Sequence, residues 1–575
     1  MWLICPLISI FTGWTFVYFV RGTHYTVVVH SIASWLVGTS ITGTLLTIAH
    51  QFFEFSVPMV SSVLGFEAFC AITLLSWAFI HKPTHLALEK RATLLLCILL
   101  GGLISFLCSK AVFDPEGFPT DLYPLISHDR AVVNSIVNGC NLKASKIFRL
   151  ADPFLFNATI GGMPTFYEYT AACQLLGGEF PQILKLFGFM NGLAIGASIY
   201  FISVVSSPKR KFTAPFAILL VLMNGGWASI KNMSMTNGSL IQSRTSPFYQ
   251  VSTTFLCSSI NSSFTLALSM LAMAFLWQPQ KRCFIIASIL TSSIPSLFPY
   301  LGVLSLAICS INVGPIYFSS LVTAPLLILS AKIHAKPIWR EAQMDGYFYT
   351  QVSIWFHALG PVFFLLIPAV VCQQRKNRIV TALSFSFLLC LFRDSNTPFQ
   401  TILTFASTAF PLLAVYGCSA LQSLIDKFKG KGKGILWFTL IAIVLFSTYG
   451  AVLEIKQTAN ARTFGYPNGD YQTWFNAYTT PKETILTPPI TLPPIIDSGR
   501  QAFLALPLDV WINGNDPIPL LTKYRVEFNE NCTKFLNTNH IRYVFDFRSY
   551  PVIKNLDDLF TVLRTDENYA LLTLK

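Results

Sequence analysis

The chain has 575 residues, of which 53% are apolar and only 12% charged, with a mean hydropathy of +0.55. Soluble domains carry about 25% charged residues, so a soluble globular protein is excluded. The net charge of +13 does not point to nucleic acid, because the basic residues fall in short clusters between apolar windows and form no basic stripe interleaved with aromatics.

Met1 to Val20 contains no charged residue and is followed by Arg21. With no positive region ahead of it, it reads as a first membrane helix with its N-terminus outside rather than as a cleaved signal peptide. Further helices are predicted over 27–49, 57–80, 93–113, 184–206, 213–230, 251–278, 283–303, 351–372, 379–393, 398–422 and 435–455. Windows such as Phe212 to Ile230 and Gly434 to Leu453 are uncharged over the roughly 20 residues that a crossing needs. Cys283 to Ala331 is uncharged throughout and holds either one crossing plus an interfacial piece or three short crossings.

Five basic clusters order these helices: Lys82, Lys90 and Arg91; Lys209 to Lys211; Lys281 and Arg282; Arg375, Lys376 and Arg378; and Lys427, Lys429, Lys431 and Lys433. An odd number of crossings in 283–331 puts all five on one face, which is then cytoplasmic. The opposite face receives 114–182, the 231–250 loop, the 394–397 turn and the tail from about 456. The sequons at Asn157, Asn232, Asn237 and Asn531 fall on that face, as glycosylation acceptors in a secretory membrane would. A fifth, at Asn261, lies inside a helix window and reads as a chance match. Cys140 and Cys173 flank the same polar segment and form a candidate disulfide if it is lumenal or extracellular.

The last part of the chain changes character. "ETILTPPI", "FLALP", "RYVFDF" and "YALLTLK" read as short strands, and "LDDLFTVL" and Pro519 to Leu536 as helices. The expected architecture is an α-helical polytopic membrane protein of about 12–14 helices with a small outer α/β domain. Its expected divisions are 1–113, the polar segment 114–182, the bundle 183–455 and the outer domain 456–575.

The segment 114–182 concentrates polar chemistry. It holds Asp114, Glu116, Asp129 and Glu168, with His128 and Arg130 beside Asp129. "RAVVNSIVNG" has the spacing of a short amphipathic helix lying on the membrane surface, with Asp129 at its N-terminus.

This layout resembles the glycosyltransferase-C (GT-C) superfamily. Two stretches carry the resemblance: "SHDRAVVNSIVNGCN" through "PFLFNATIGGMPTFYEYTAACQLLGGE", and "PKETILTPPITLPPIIDSGRQAFLALPLDVWINGNDPIPLLTKYR" followed by "IRYVF". The outer domains of such enzymes often show a Pro-Lys strand, a Gly-Arg turn, a Trp, a later Arg and a Tyr-Val strand. The matching residues are Pro481 and Lys482, Gly499 and Arg500, Trp511, Arg525, and Tyr543 and Val544. The chain departs from the pattern in two ways. Its acidic segment follows the fourth helix rather than the first, and "DPE" at Asp114 to Glu116 is the nearest approach to an acidic pair.

The resemblance implies transfer of a sugar from a polyprenyl (dolichyl) phosphate donor to a lumenal acceptor, in the endoplasmic reticulum or another secretory-pathway or plasma membrane. Asp129, backed by Asp114 and Glu116, is the expected general base on the acceptor hydroxyl. His128, Arg130, Arg393, Arg500 and Arg525 are the candidates for binding the donor, the arginines through its phosphate. Membrane lipid and the lipid-linked sugar are the implied partners. The cofactor is unknown: a divalent metal is left open, and no metal-ligating cluster is found.

Two other classes stay in view. Glu67 lies mid-helix in "SSVLGFEAFCAITLL", where a carboxylate costs roughly 2.5–3.5 kcal/mol, so it could serve a multi-spanning transporter. A catalytically inactive GT-C-like scaffold that binds a lipid or a partner would explain the missing acidic pair.

Overall fold

The computed structural model describes residues 1–20, 26–81, 91–113, 118–119, 123–144, 147–206, 212–225, 259–277, 282–308, 315–330, 336–337, 359–371, 392–393, 404, 406–460, 463–464, 471–490, 493–505, 507, 510, 516–549 and 559–575. Its first helices are α1 (Ile4–Val20), α2 (Val27–His50), α3 (Val57–His81) and α4 (Ala92–Phe113). After them come α5 (Tyr123–Asn138), α6 (Thr165–Leu175), α7 (Phe180–Ser206) and α8 (Thr213–Leu222). The bundle continues with α9 (Ile260–Leu276), α10 (Cys283–Ser292), α11 (Leu297–Ile308) and α12 (Ala324–Ser330). It closes with α13 (Leu366–Val371), α14 (Ala409–Lys427) and α15 (Lys431–Asn460). Among the described residues, six helices are long and apolar enough to cross a membrane, and seven shorter ones are apolar. The expected helix over 379–393 lies outside the described residues, apart from the short strand β3 (Phe392–Arg393), which pairs antiparallel with β2 (Lys336–Pro337), as β1 (Phe118–Pro119) does with β4 (Thr463–Phe464).

Small residues decide how these helices meet. A side chain on Gly13 would collide with the Ser34 carbonyl, and one on Gly38 with the Ser9 carbonyl, so α1 and α2 cross backbone to backbone. The contact of α4 with α7 repeats this over three turns. Gly188, Gly192 and Gly196 of α7 face Ser109, Ser105, Gly101 and Cys97 of α4, and a Cβ on Gly192 would stand 2.5 Å from both the Gly101 carbonyl and Ser105 Oγ. In lipid, apolar side chains gain little by leaving the solvent, so close packing of small residues carries helix association. The outward faces are apolar: α3 exposes Phe66, Phe69, Ile72, Phe79 and Ile80, and α15 exposes Ile435, Phe438 and Leu445.

Several expected elements differ. "FLALP" holds only the isolated bridge at Leu504 among the described residues, and the helix over Pro519 to Leu536 is broken at Asn531. The helix predicted over 283–303 is two, α10 and α11, parted at the turn that holds Pro295, a residue with no amide hydrogen to continue the ladder. "LDDLFTVL" ends in a strand, because Phe560–Thr565 pairs antiparallel with the C-terminal strand. The last is α5, which does not lie on a surface. Val132, Val133 and Ile136 join the bundle core while Ala131 joins the core of the C-terminal α/β domain, outer with respect to the bundle, so both sides are covered.

The outer domain contains α16 (Tyr471–Tyr478), α17 (Pro493–Ser498), α18 (Ile518–Glu530) and α19 (Cys532–Thr538). Its strands are β5 (Thr484–Leu486), β6 (Gln501–Ala502), β7 (Tyr543–Phe547), β8 (Phe560–Thr565) and β9 (Tyr569–Leu574), in the order β6-β5-β7-β9-β8. The first three run parallel, and β9 and β8 are antiparallel. The β6 edge is covered by "PFLF" from the polar segment. Ala502 N–H donates to the Pro153 carbonyl, Phe156 N–H to the Phe503 carbonyl, and Leu155 bridges Leu504. Phe154 and Leu155 enter the outer core beside Phe503 and Phe535. The polar segment and the tail, distant in sequence, thus share one sheet and one core.

Candidate functional site

Asp129 lies in the second turn of α5, not at its N-terminus, and is 3% exposed. The helix end that it serves is another one. Its Oδ2 accepts the Ile260 N–H at 2.7 Å, the first amide of α9, and Ser259 also bonds it. Tyr167 Oη–H donates to Oδ1 at 2.7 Å. A helix N-terminus favours an anion there. Burial opposes it and wins: the carboxyl is pushed up to about 6, with the Ile260 amide, Tyr167 and Ser259 holding it down. His128, buried against the Phe154 ring at 5.6 Å between ring centres, is lowered by burial, and its Nδ1 is 4.0 Å from Asp129 Oδ1, beyond hydrogen-bond reach.

Helix α6 contributes to two buried polar pairs. Tyr167 reaches Asp129, and the next residue, Glu168, meets His50 of α2, Oε1 to Nδ1 at 2.7 Å, with both side chains fully buried. Tyr169 turns toward Trp35 and Phe187. Neither the Tyr167–Asp129 bond nor the Glu168–His50 pair is visible in sequence. The one signal in the sequence is the aromatic-acid run "FYEYT", and it does not name the partners.

The arginines divide differently from expectation. Arg500 is 1% exposed, and its guanidinium spends every N–H inside the protein. Nε donates to Thr479 Oγ1, Nη1 to the Asn138 and Ser498 carbonyls, and Nη2 to Asn476 Oδ1 and the Thr479 carbonyl. A guanidinium has five donors, so Arg500 keeps none for a phosphate; it ties the end of α5 to the outer domain. The motif glycines have the same purpose. A Cβ on Gly139 would stand 1.8 Å from the Gly499 carbonyl, and Gly499, at φ 66°, lies against the Asn134 carbonyl. "VNG" and "SGR" are therefore two halves of one backbone contact.

Arg130 pairs with Asp497 at 2.8 Å across the same seam, and Asn134 Nδ2 donates to the Ile496 carbonyl. Arg525 stands exposed on α18. Arg393 is in β3, opposite Lys336. Asp114, Glu116, Asn232 and Asn237 lie outside the described residues. Asn157 is exposed at φ 58°, and Asn531 is exposed and accepts the Lys534 N–H as the cap of α19. The expected disulfide is not formed: Cys140 and Cys173 are free thiols, and Cys173 neighbours Cys5 of α1 instead. Among the described residues no three His, Cys, Asp or Glu side chains gather to hold a metal.

Glu67, the intramembrane acid, is 2% exposed and accepts the Thr42 hydroxyl at 2.7 Å through Oε1.

No protein-family model and no curated protein sequence matches the chain. Among solved structures it is similar to the archaeal oligosaccharyltransferase AglB from Archaeoglobus fulgidus, in complex with an inhibitory peptide and a dolichol-phosphate, at 12% identity and a TM-score of 0.37, over 80% of this chain and 70% of that one. A superposition that loose carries no residue roles from one chain to the other.

Proposed function

We propose that this multi-pass membrane protein is a glycosyltransferase of the GT-C type, taking a sugar from a polyprenyl-phosphate carrier. The observation that carries the reading is the buried Asp129 carboxyl, held by the Tyr167 hydroxyl and the Ile260 amide on the helix that joins the bundle to the C-terminal domain, where burial pushes it up to about 6. A base is most useful when its pKa lies near the working pH. In this reading an acceptor hydroxyl displaces Tyr167 from Oδ1 and gives its proton to Asp129 as its oxygen attacks the sugar. The bond from the sugar to the phosphate oxygen breaks, and the polyprenyl phosphate leaves with the electron pair. Positive charge near the departing phosphate stabilises that step. Arg500 is committed to the seam, Arg130 to Asp497, and Arg525 stands exposed, so Arg393 is the arginine assigned to the phosphate. Asp114 and Glu116 remain as supporting acids, and the acid-bearing face is lumenal or extracellular.

The test uses the full chain in lipid nanodiscs with polyprenyl-phosphate-linked sugars, following release of polyprenyl phosphate. Asp129→Asn is expected to abolish release while Arg525→Ala leaves it unchanged. Wild-type release from Asp129→Asn would end the proposal.

A further inference from the structure

Four helices of the bundle place oxygen atoms around Glu67. From α1 come Ser9 and Thr12, from α2 Thr42, from α3 Glu67 itself and from α6 Tyr169. Ser9 Oγ and Thr42 Oγ1 are 2.7 Å apart, and Thr42 Oγ1 donates to Glu67 Oε1 at 2.7 Å. Thr12 Oγ1 approaches the same carboxylate and Tyr169 Oη approaches Ser9, neither completing a hydrogen bond. Three buried oxygens of one cluster, Thr12 Oγ1, Glu67 Oε2 and Tyr169 Oη, are thus left without a protein partner. Glu67 and Tyr169 are both at least nine-tenths buried.

An ionised carboxylate in a membrane interior needs a compensating charge, and no Lys, Arg or His bonds this one among the described residues. Protonating Glu67 would let Oε2–H donate to Thr12 Oγ1 and would still leave Tyr169 Oη without a partner. A cation would use all three orphan oxygens. The proposed ligands are one carboxylate and four hydroxyls, and the Cys5 and Cys173 thiols neighbour Tyr169 without joining them. Such oxygen donors select hard cations, and a single negative charge balances a single positive one. We propose that Ser9, Thr12, Thr42, Glu67 and Tyr169 form a binding site for one small monovalent cation of the sodium type. The site holds together α1, α2, α3 and α6, and so the helix whose Tyr167 bonds Asp129. It does not depend on the glycosyl-transfer reading.

The experiment measures thermal unfolding of the purified full chain in detergent against sodium, with choline keeping ionic strength constant. The expected result is an upward shift of the midpoint that saturates with sodium, is lost in Glu67→Gln and is weakened in Thr42→Val. Glu67→Gln keeps the acceptor for Thr42, so it is expected to fold. Infrared spectra report the carboxyl directly. A protonated-carboxyl carbonyl band that is present in the wild type, absent in Glu67→Gln and unmoved by sodium would overturn the proposal in favour of a neutral acid. A midpoint with no sodium dependence, or the same dependence in Glu67→Gln, would overturn it as well.

Discussion

Removing the Arg500 guanidinium should open the seam between the bundle and the outer domain before it unfolds either. Arg500→Ala deletes five hydrogen bonds and leaves the Asn138 and Thr479 carbonyls facing a space with no donor. Hydrogen bonds to charged groups are worth about 1.5–3 kcal/mol each, but these five share one side chain and do not add. Breaking a buried charged network costs about 3–5 kcal/mol, a large part of the roughly 5–15 kcal/mol that holds a domain together. Arg500→Lys keeps the charge and loses the planar fork, so an intermediate loss is expected. Cys140 is a built-in reporter. Its N–H donates to the Gly499 carbonyl at 3.1 Å, and burial pushes its thiol up to about 12. A thiol held that high is almost entirely protonated at neutral pH and reacts slowly with maleimide. Losing the Arg500 charge alone would raise the thiol further, so faster labelling, read by mass spectrometry, reports water entering the seam. The Cys140 peptide should label at least about tenfold faster in Arg500→Ala, with Arg500→Lys between, as the thiol returns toward its ordinary value near 8.5. Wild-type labelling and unfolding temperature in Arg500→Ala would refute the assignment of Arg500 to the seam.

The raised Asp129 carboxyl predicts a pH dependence of stability. A folded-state pKa above the unfolded value contributes stability that is fully present below the unfolded value and is lost as pH rises through the folded one. From an ordinary 3.8 to about 6, that loss is on the order of 3 kcal/mol, spread between about pH 4 and pH 6.5. His128, lowered by burial, acts with the opposite sign as pH falls through the ordinary histidine range, so the informative quantity is the wild-type curve minus that of Asp129→Asn. The difference should slope downward with rising pH across that window, and a flat difference would show Asp129 ionised without penalty. Gly192→Leu should disrupt the α4–α7 crossing by roughly 1–3 kcal/mol or more, because both neighbouring atoms at 2.5 Å must move and one is a backbone carbonyl. Gly65→Leu, which meets nothing within 4 Å, is the control, and equal thermal shifts in detergent would contradict the packing argument.

The membrane class, most helix positions and the outer α/β domain were legible along the chain because each rests on a local property. A run of apolar residues long enough to span is apolar wherever it sits, and alternation marks "RYVFDF" and "YALLTLK" as strands without knowledge of their neighbours. The Gly188, Gly192 and Gly196 spacing was also there to be read as a close helix contact. What each polar residue does was settled by partners far away in sequence. Asp129 looked like the cap of its own helix and instead receives the first amide of α9. Arg500 looked like a phosphate ligand and is saturated by Asn138, Asn476, Thr479 and Ser498. "RAVVNSIVNG" has the periodicity of a surface helix, yet the outer domain covers the face that such a helix would leave to water. Periodicity records that a helix has two kinds of face. Only the assembled fold decides what stands against each one, and a guanidinium or carboxylate takes its role from the donors and acceptors it meets there.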